Sequence, residues 1–264
     1  MARKRKKKSF SRKVFWIAVV FFLSGLAAYL YLSFPDIKSL KKHTPQKTSF
    51  MEYREKEWKE KGKKYRIQQK WVPISRISPY LMKAVLIAED DKFWSHEGFD
   101  YEAMQKALEK DIKAKKFKLG GSTISQQLAK NLYLSPSKNP LRKIAEAVIT
   151  WRLEKILTKK RILELYLNVA EWGDKGIFGI EAASRHYYGK SASELNPEEA
   201  ARLASVLPNP RKYNPLSDSR YVTQRSNLIY SIMVKRGIVV PEFEEVVEEG
   251  KEVEPIIDNP HDMR

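Results

Sequence analysis

Twenty-one residues without a charge, Val14 to Phe34, follow a segment, residues 1 to 13, that packs in eight Lys or Arg. No other feature constrains the chain as strongly. At 1.5 Å of rise per residue such a run makes a helix about 31 Å long, matching a hydrocarbon core of roughly 30 Å. The pattern predicts one transmembrane helix over 14–34, with Trp16 near one end and Tyr29 and Tyr31 near the other in interfacial positions. The competing reading is a cleaved signal peptide, against which stand the length of the run and a poor small-residue cleavage site. Basic residues are denser before the span than after it, so residues 1–13 are expected in the cytoplasm. Everything from about Pro35 is then expected outside the cytoplasmic (inner) membrane.

The 264 residues leave room for one catalytic-sized domain, placed over 35–240, with an acidic tail over 241–264. The absence of cysteine excludes disulfides, zinc thiolate sites and cysteine nucleophiles. The net charge of +18 is uneven: 1–34 carries +8, the acidic tail −7 and the domain between them +17. An exported domain that basic is expected to meet an anionic partner near the membrane, with lipid headgroups and lipid-linked phosphates ahead of nucleic acid. A solvated surface of mixed charge accounts equally well for "REKEWKEKGKKYR".

Helical signals dominate the domain. "SPYLMKAVLIAEDDKF" places Ser78 as N-cap and Pro79 at the first helical position, with Glu89 near the C-terminal end. "GGSTISQQLAKNLYL" reads as a helix opened by a glycine pair, with Thr123 and Gln126 as a capping box. Further helices are expected from Asn139–Pro140 to about Leu157, through "TKKRILELYLNVAEW", through "GIEAASRHYYG" to Gly189, from an Asn196 cap to Pro208, and up to Gly237. Short strands are arguable only at 66–73 and 239–240, and a glycine-punctuated loop is expected through 173–179. The fold class is therefore mainly α.

The stretch "LIAEDDKFWSHEGFD", residues 86 to 100, carries the densest acid chemistry. A zincin helix would need histidine where Asp100 stands, and no EF-hand spacing starts at Asp90 or Asp91. Glu89 fits acid/base work better. A carboxylate at a helix C-terminus lies in the negative end of the dipole, and Ile87, Phe93 and Trp94 could desolvate it; both effects raise its pKa. A solvated Glu-Asp-Asp helix end remains the plain alternative. Lys130, Lys138, Arg142 and Lys143 gather around the helix start at 139–140, where cations oppose the macrodipole unless an anion binds there. Glu146 shares a face with Arg142 and Lys143, which leaves a structural ion-pair reading open. Neither phosphate-loop motif is present, and the S-x-x-K matches at Ser39 and Ser135 lack a following K-T-G or S-D-N. His96 reads as an orienting or structural hydrogen-bonding residue rather than a metal ligand.

Taken in order, "EDDKFWSHEGFD", "GGSTISQQLAKN", "RKIAE" and "RILELYLNVAEWGDKGIFGIEAASRHYYGK" resemble the motifs of glycosyltransferase family 51, the peptidoglycan glycosyltransferases. "TSFM" at Thr48 to Met51 and "LPNPRKYNP" from Leu207 resemble its single-domain, membrane-anchored branch. The resemblance implies a lysozyme-like helical domain with a smaller membrane-proximal lobe, and polymerisation of lipid II with release of undecaprenyl diphosphate. It implies that Glu89 is the general base at the acceptor's 4-hydroxyl and that Glu146 is the second glutamate, assisting at the diphosphate or positioning a metal or basic side chain. Lys130, Lys138, Arg142 and Lys143 match or lie beside diphosphate-contacting positions. Ser122, Gln126, Gln127 and Asn131 match the substrate-cleft motif, and Asp90 the acid beside the base. No cofactor is required, with a divalent cation (Mg or Mn) at the diphosphate left open. Lipid II, the growing glycan, the membrane and other cell-wall synthases are the expected partners, and nucleic acid is not. A lysozyme-like glycan hydrolase and a non-catalytic basic scaffold are the rival functions. The hydrolase would want a second carboxylic acid at the glycosidic oxygen in place of the basic cluster.

Overall fold

The structure is a computed structural model that describes residues 12–25, 35–114, 121–136 and 140–239. Residues 12–25 are helical (α1), and the remainder of the uncharged run, 26–34, lies outside the described residues, as do most of the basic tail and all of the acidic one. Among the described residues no helix is long and apolar enough to cross a membrane.

The domain is mainly helical, as its periodicity requires. Its helices are α2 (Ser49–Glu60), α3 (Pro79–Glu89), α4 (Tyr101–Ala114), α5 (Ile124–Tyr133), α6 (Pro140–Ile156), α7 (Lys159–Val169), α8 (Ile180–Tyr188), α9 (Pro197–Val206) and α10 (Arg220–Lys235). The main core joins α3, α5, α6, α7, α8, α9 and α10 through fully buried residues such as Leu81, Val85, Leu128, Leu153, Leu165, Ile180 and Leu203. Each such side chain contributes about 1.5–3 kcal/mol relative to exposure. A second, small cluster of Met51, Trp58 and Phe178 seats α2, with Phe50, Tyr65 and Ile67 packed around it. The N-terminus of α2 is the "TSFM" segment: Thr48 is the N-cap, and its hydroxyl accepts from Met51 N at 3.2 Å.

Local hydrogen-bond signals translated directly into geometry. Thr123 and Gln126 form a reciprocal capping box, Asn196 forms another with Glu199, and Gly189 closes α8 at φ 70°. Ser78 differs from its expected role. It occupies the N-cap position of α3, but its hydroxyl donates to Leu195 O at 2.7 Å, so it ties α3 to the approach to α9 instead of capping its own helix.

The strands also differ from expectation. Within 66–73 only Gln68–Gln69 (β1) is a strand, and it pairs in parallel with Ile177–Phe178 (β2), inside the segment expected to be a glycine loop. Val239 lies in a bend, and Val240 is outside the described residues. The glycines are what admit the pairing. A Cβ on Gly176 (φ 82°) would meet Arg66 O at 2.3 Å, and one on Gly179 (φ 77°) would meet Asn168 O at 2.6 Å. Asn168, fully buried, fastens β1's exit to α7: Oδ1 accepts from Val72 N, and Nδ2 donates to the carbonyls of Val72 and Glu164. Helix α4 was not anticipated; Asp100 caps it by accepting from Ala103 N at 2.9 Å, and Ala103 and Ala107 are its half-buried residues among those whose burial is described.

Candidate active site

Glu89 is the last residue of α3, as its position in "AVLIAEDD" suggested. Its side chain is only 10% exposed. Oε2 accepts from Gln127 Nε2 at 2.9 Å, while Oε1 is closed off from solvent with no hydrogen-bond partner among the described residues. Burial raises the carboxyl's pKa above the ordinary range, and the Gln127 hydrogen bond, Arg225 and Lys130 pull against that rise. This is a desolvated carboxylate rather than an idle charged helix end. Gln127 is itself fixed, since its Oε1 accepts from the buried Tyr166 hydroxyl at 3.0 Å. Tyr166 stays a phenol, because burial pushes its pKa well above the usual value.

The next two acids, Asp90 and Asp91, are each engaged by partners of their own. Asp90 is buried and accepts three hydrogen bonds' worth of contact: His96 Nε2 reaches Oδ1 at 2.9 Å and Oδ2 at 3.1 Å, and the first amide of α5, Ile124 N, donates to Oδ2 at 2.9 Å. A carboxylate at a helix N-terminus is also favoured by the dipole. His96 Nδ1 accepts from Gly98 N at 3.0 Å, so Nε2 carries the ring proton and donates to Asp90. His96 thus bridges Asp90 and the Gly98 amide, while Asp90 itself ties the end of α3 to the start of α5. Asp91 pairs with Arg236 at the surface.

Glu89 and Gln127, joined by their hydrogen bond, each line a cavity. One, of about 260 Å³, is lined by Glu89, Asp90, Ser122, Lys106 and Glu102 among others. The second, of about 200 Å³, is lined by Gln127, Lys130, Asn131, Tyr166, Arg54, Glu171 and the turn 207–211. Ser122, Gln127, Lys130 and Asn131 therefore all face one cavity or the other. Gln126 is buried, and its Oε1 accepts from Thr123 N within the capping box, so its side chain is committed to starting α5.

The basic cluster assembles on α5 and α6. Glu146 is buried and accepts from Arg142 at 2.9 Å and from Lys143. Both the ion-pair reading and the anion-site reading survive this geometry, since two cations share one carboxylate and Lys143 is still 45% exposed. Lys130 feels the charge of Glu146 and Glu89 together with that of Arg142 and Lys143; burial lowers its pKa, and no carboxylate lies within ion-pairing distance of it among the described residues. Lys138 lies outside the described residues.

Sequence reading missed Arg225 on α10, whose Nη2 lies 3.6 Å from Glu89 Oε1. It also missed Arg54 and Glu171, which pair at 2.7 Å across the second cavity. Neither contact has a local signal, because each joins residues more than a hundred positions apart.

The chain matches the family model described as transglycosylase over residues 55–234. It is 45% identical to a biosynthetic peptidoglycan transglycosylase of Nitrosospira multiformis over 229 residues, 87% of this chain and 99% of that protein. It is 51% identical to one of Dechloromonas aromatica, over 72% of this chain and 81% of that protein, and 55% identical to one of Azoarcus sp. (strain BH72), over 68% and 78%.

Proposed function

This chain belongs to the transglycosylase family of peptidoglycan glycosyltransferases, and from that premise we propose that it polymerises lipid II into β-1,4-linked glycan at the outer face of the cytoplasmic membrane. In this reading residues 14–34 anchor it as a single span, and its larger, lysozyme-like helical lobe stands over a smaller membrane-proximal lobe built around α2.

Glu89 takes the proton from the acceptor sugar's 4-hydroxyl. The freed oxygen attacks the anomeric carbon of the donor chain and inverts it, and the bond to the diphosphate breaks with its electron pair leaving on undecaprenyl diphosphate. The leaving group needs positive charge rather than a protonating acid, and Lys130, Lys143 and Arg142 around Glu146 supply it. Asn131, Gln127 and Ser122 line the cavities in which the two sugars would sit. A divalent cation at the diphosphate, if the reaction uses one, would have to be held by substrate oxygens. Glu146 is already engaged by two basic side chains, and among the described residues no three metal-ligating side chains converge.

One observation carries the transferase reading over hydrolysis. Asp90 is committed to His96 and the α5 amide, and Glu171, the carboxylate lining the second cavity, is paired with Arg54, so that cavity offers a cation, Lys130, and, among the described residues, no unpaired carboxylic acid for a glycosidic oxygen. Purified protein given lipid II should yield polymer and release undecaprenyl diphosphate, and Glu89→Gln should abolish this while lipid binding persists. Shortening of preformed glycan would support the hydrolase instead, and binding without turnover by the wild type would leave only a scaffold. Adding EDTA to the same assay tests the cation.

A further inference from the structure

Arg225 enters none of the expectations read from the sequence, yet three observations converge on it. Its Nη2 donates to Ala88 O at 3.1 Å, a carbonyl in the last turn of α3. The same nitrogen lies 3.6 Å from Glu89 Oε1. Glu89 Oε1 and Arg225 Nε are both closed off from solvent and without hydrogen-bond partners among the described residues. The guanidinium is thus tied to the backbone beside the carboxylate and near it, without spending a hydrogen bond on it.

We propose that Arg225 is a positioning residue for Glu89: anchored on Ala88 O, it holds the base's carboxylate from the α10 side while Gln127 holds the other oxygen, and it keeps that carboxylate ionised at neutral pH. The inference rests on Glu89 being the base. A buried carboxyl drifts toward its neutral form, and a neutral carboxylic acid cannot accept the hydroxyl's proton. The groups that bear on Glu89 are Arg225 on α10, Lys130 on α5, Asp90 at its own helix end, and the phenols of Tyr166 on α7 and Tyr221 on α10. Of the two cations, Lys130 is one of those assigned to the diphosphate, and an anion bound there would share its charge. Arg225 is not among the cations assigned to the diphosphate, and in this proposal it remains the base's counter-charge through the reaction. A separation of 3.6 Å is close enough to favour ionisation, yet the lone pairs of Oε1 stay unspent.

The test uses the full-length protein with Arg225→Gln and Arg225→Lys. It reads the pH profile of kcat/KM for lipid II polymerisation, thermal unfolding, and the carbon-13 NMR titration of the Glu89 carboxyl. In the Gln variant the acidic limb and the Glu89 titration should both move up by about one pH unit, with activity recovering as pH rises, and the Lys variant should restore most of both. Equal loss of activity at every pH, with a lowered Tm and an unmoved limb and titration, would reduce Arg225 to an α3–α10 tie and overturn the proposal. If the Gln variant does not fold, Arg225→Met takes its place with the same readouts: an upward shift of the limb and of the Glu89 titration upholds the proposal, and an unmoved limb and titration overturn it. Absence of polymer from the wild type would remove the proposed function; an active wild type whose limb ignores Arg225→Gln removes this inference alone.

Discussion

The side-chain amide of Gln127 donates to Glu89 Oε2 at 2.9 Å, and its orientation is set from behind by the Tyr166 hydroxyl, which donates to Oε1 of the same amide at 3.0 Å. The donor end of Gln127 must therefore face the carboxylate, because a phenol that stays protonated claims the acceptor end. Gln127→Ala should move the acidic limb of activity to higher pH, since a hydrogen bond favouring the ionised Glu89 carboxylate is lost. It should also leave the Tyr166 hydroxyl unpaired, at a cost of about 1–3 kcal/mol. A pH–rate profile paired with thermal unfolding checks both, and a limb that stays in place refutes the first.

Asp90 has a different burden. Asp90→Ala strands the ring N–H of His96 and the first amide of α5, both turned inward, and should cost roughly 2–4 kcal/mol, the order of two charge-assisted hydrogen bonds. Asp90→Asn keeps one acceptor oxygen and should lose about half as much. Denaturant unfolding of the two variants measures the difference; equal losses would mean that the helix charge, rather than the hydrogen bonds, dominates.

Lys143 and Arg142 both pair with Glu146, and Lys143 is the more exposed of the two. Lys143→Ala should therefore change stability by less than about 1 kcal/mol, because Arg142 still satisfies the carboxylate. Binding of the lipid diphosphate should weaken far more. Calorimetric unfolding alongside lipid II binding separates these, and a variant that unfolds at ordinary temperature would make the pair structural.

The Arg54–Glu171 pair at 2.7 Å is largely buried, with side chains 12% and 5% exposed. Arg54→Met leaves Glu171 charged without its main partner and should cost on the order of 3 kcal/mol. Glu171→Gln should cost less, since burial has already raised that carboxyl above its ordinary pKa and its ionisation opposes folding as pH rises above about 4.5. Urea unfolding at pH 7 ranks the two, and the reverse order would count against this account.

Glu57 has the opposite sign. The Lys61 hydrogen bond first, then Arg54 and Arg211, lower it from 4.5 to about 2. Its contribution to stability is fully present above about pH 4.5 and is lost as pH falls toward 2. Glu57→Gln should flatten the acid side of the stability profile in that window. An unchanged profile would show that these ion pairs are too well solvated to matter.

Much of this protein was legible one segment at a time. The Thr123–Gln126 and Asn196–Glu199 capping boxes, the left-handed Gly189 and the placing of Glu89 at a helix end all depend on residues within four positions of one another. Their hydrogen bonds form wherever the helix forms, so spacing alone specifies them. For the same reason Gln126 was visible as a cap before it was visible as anything else.

What the tertiary structure alone decided lies at long separation. The β1–β2 pair, Ser78's bond to Leu195 O, Asn168's grip on Val72, the Arg54–Glu171 pair and Arg225 beside Glu89 join residues some ninety or more positions apart. Such contacts exist only after α3, α5, α7, α9 and α10 have buried their apolar faces against one another. The direction in which a polar side chain then points follows from that packing, on which nearest-neighbour spacing has no bearing. The sequence by itself determined that a carboxylate would end α3; the fold determined that it would be dry, held by Gln127 and watched by an arginine from another helix.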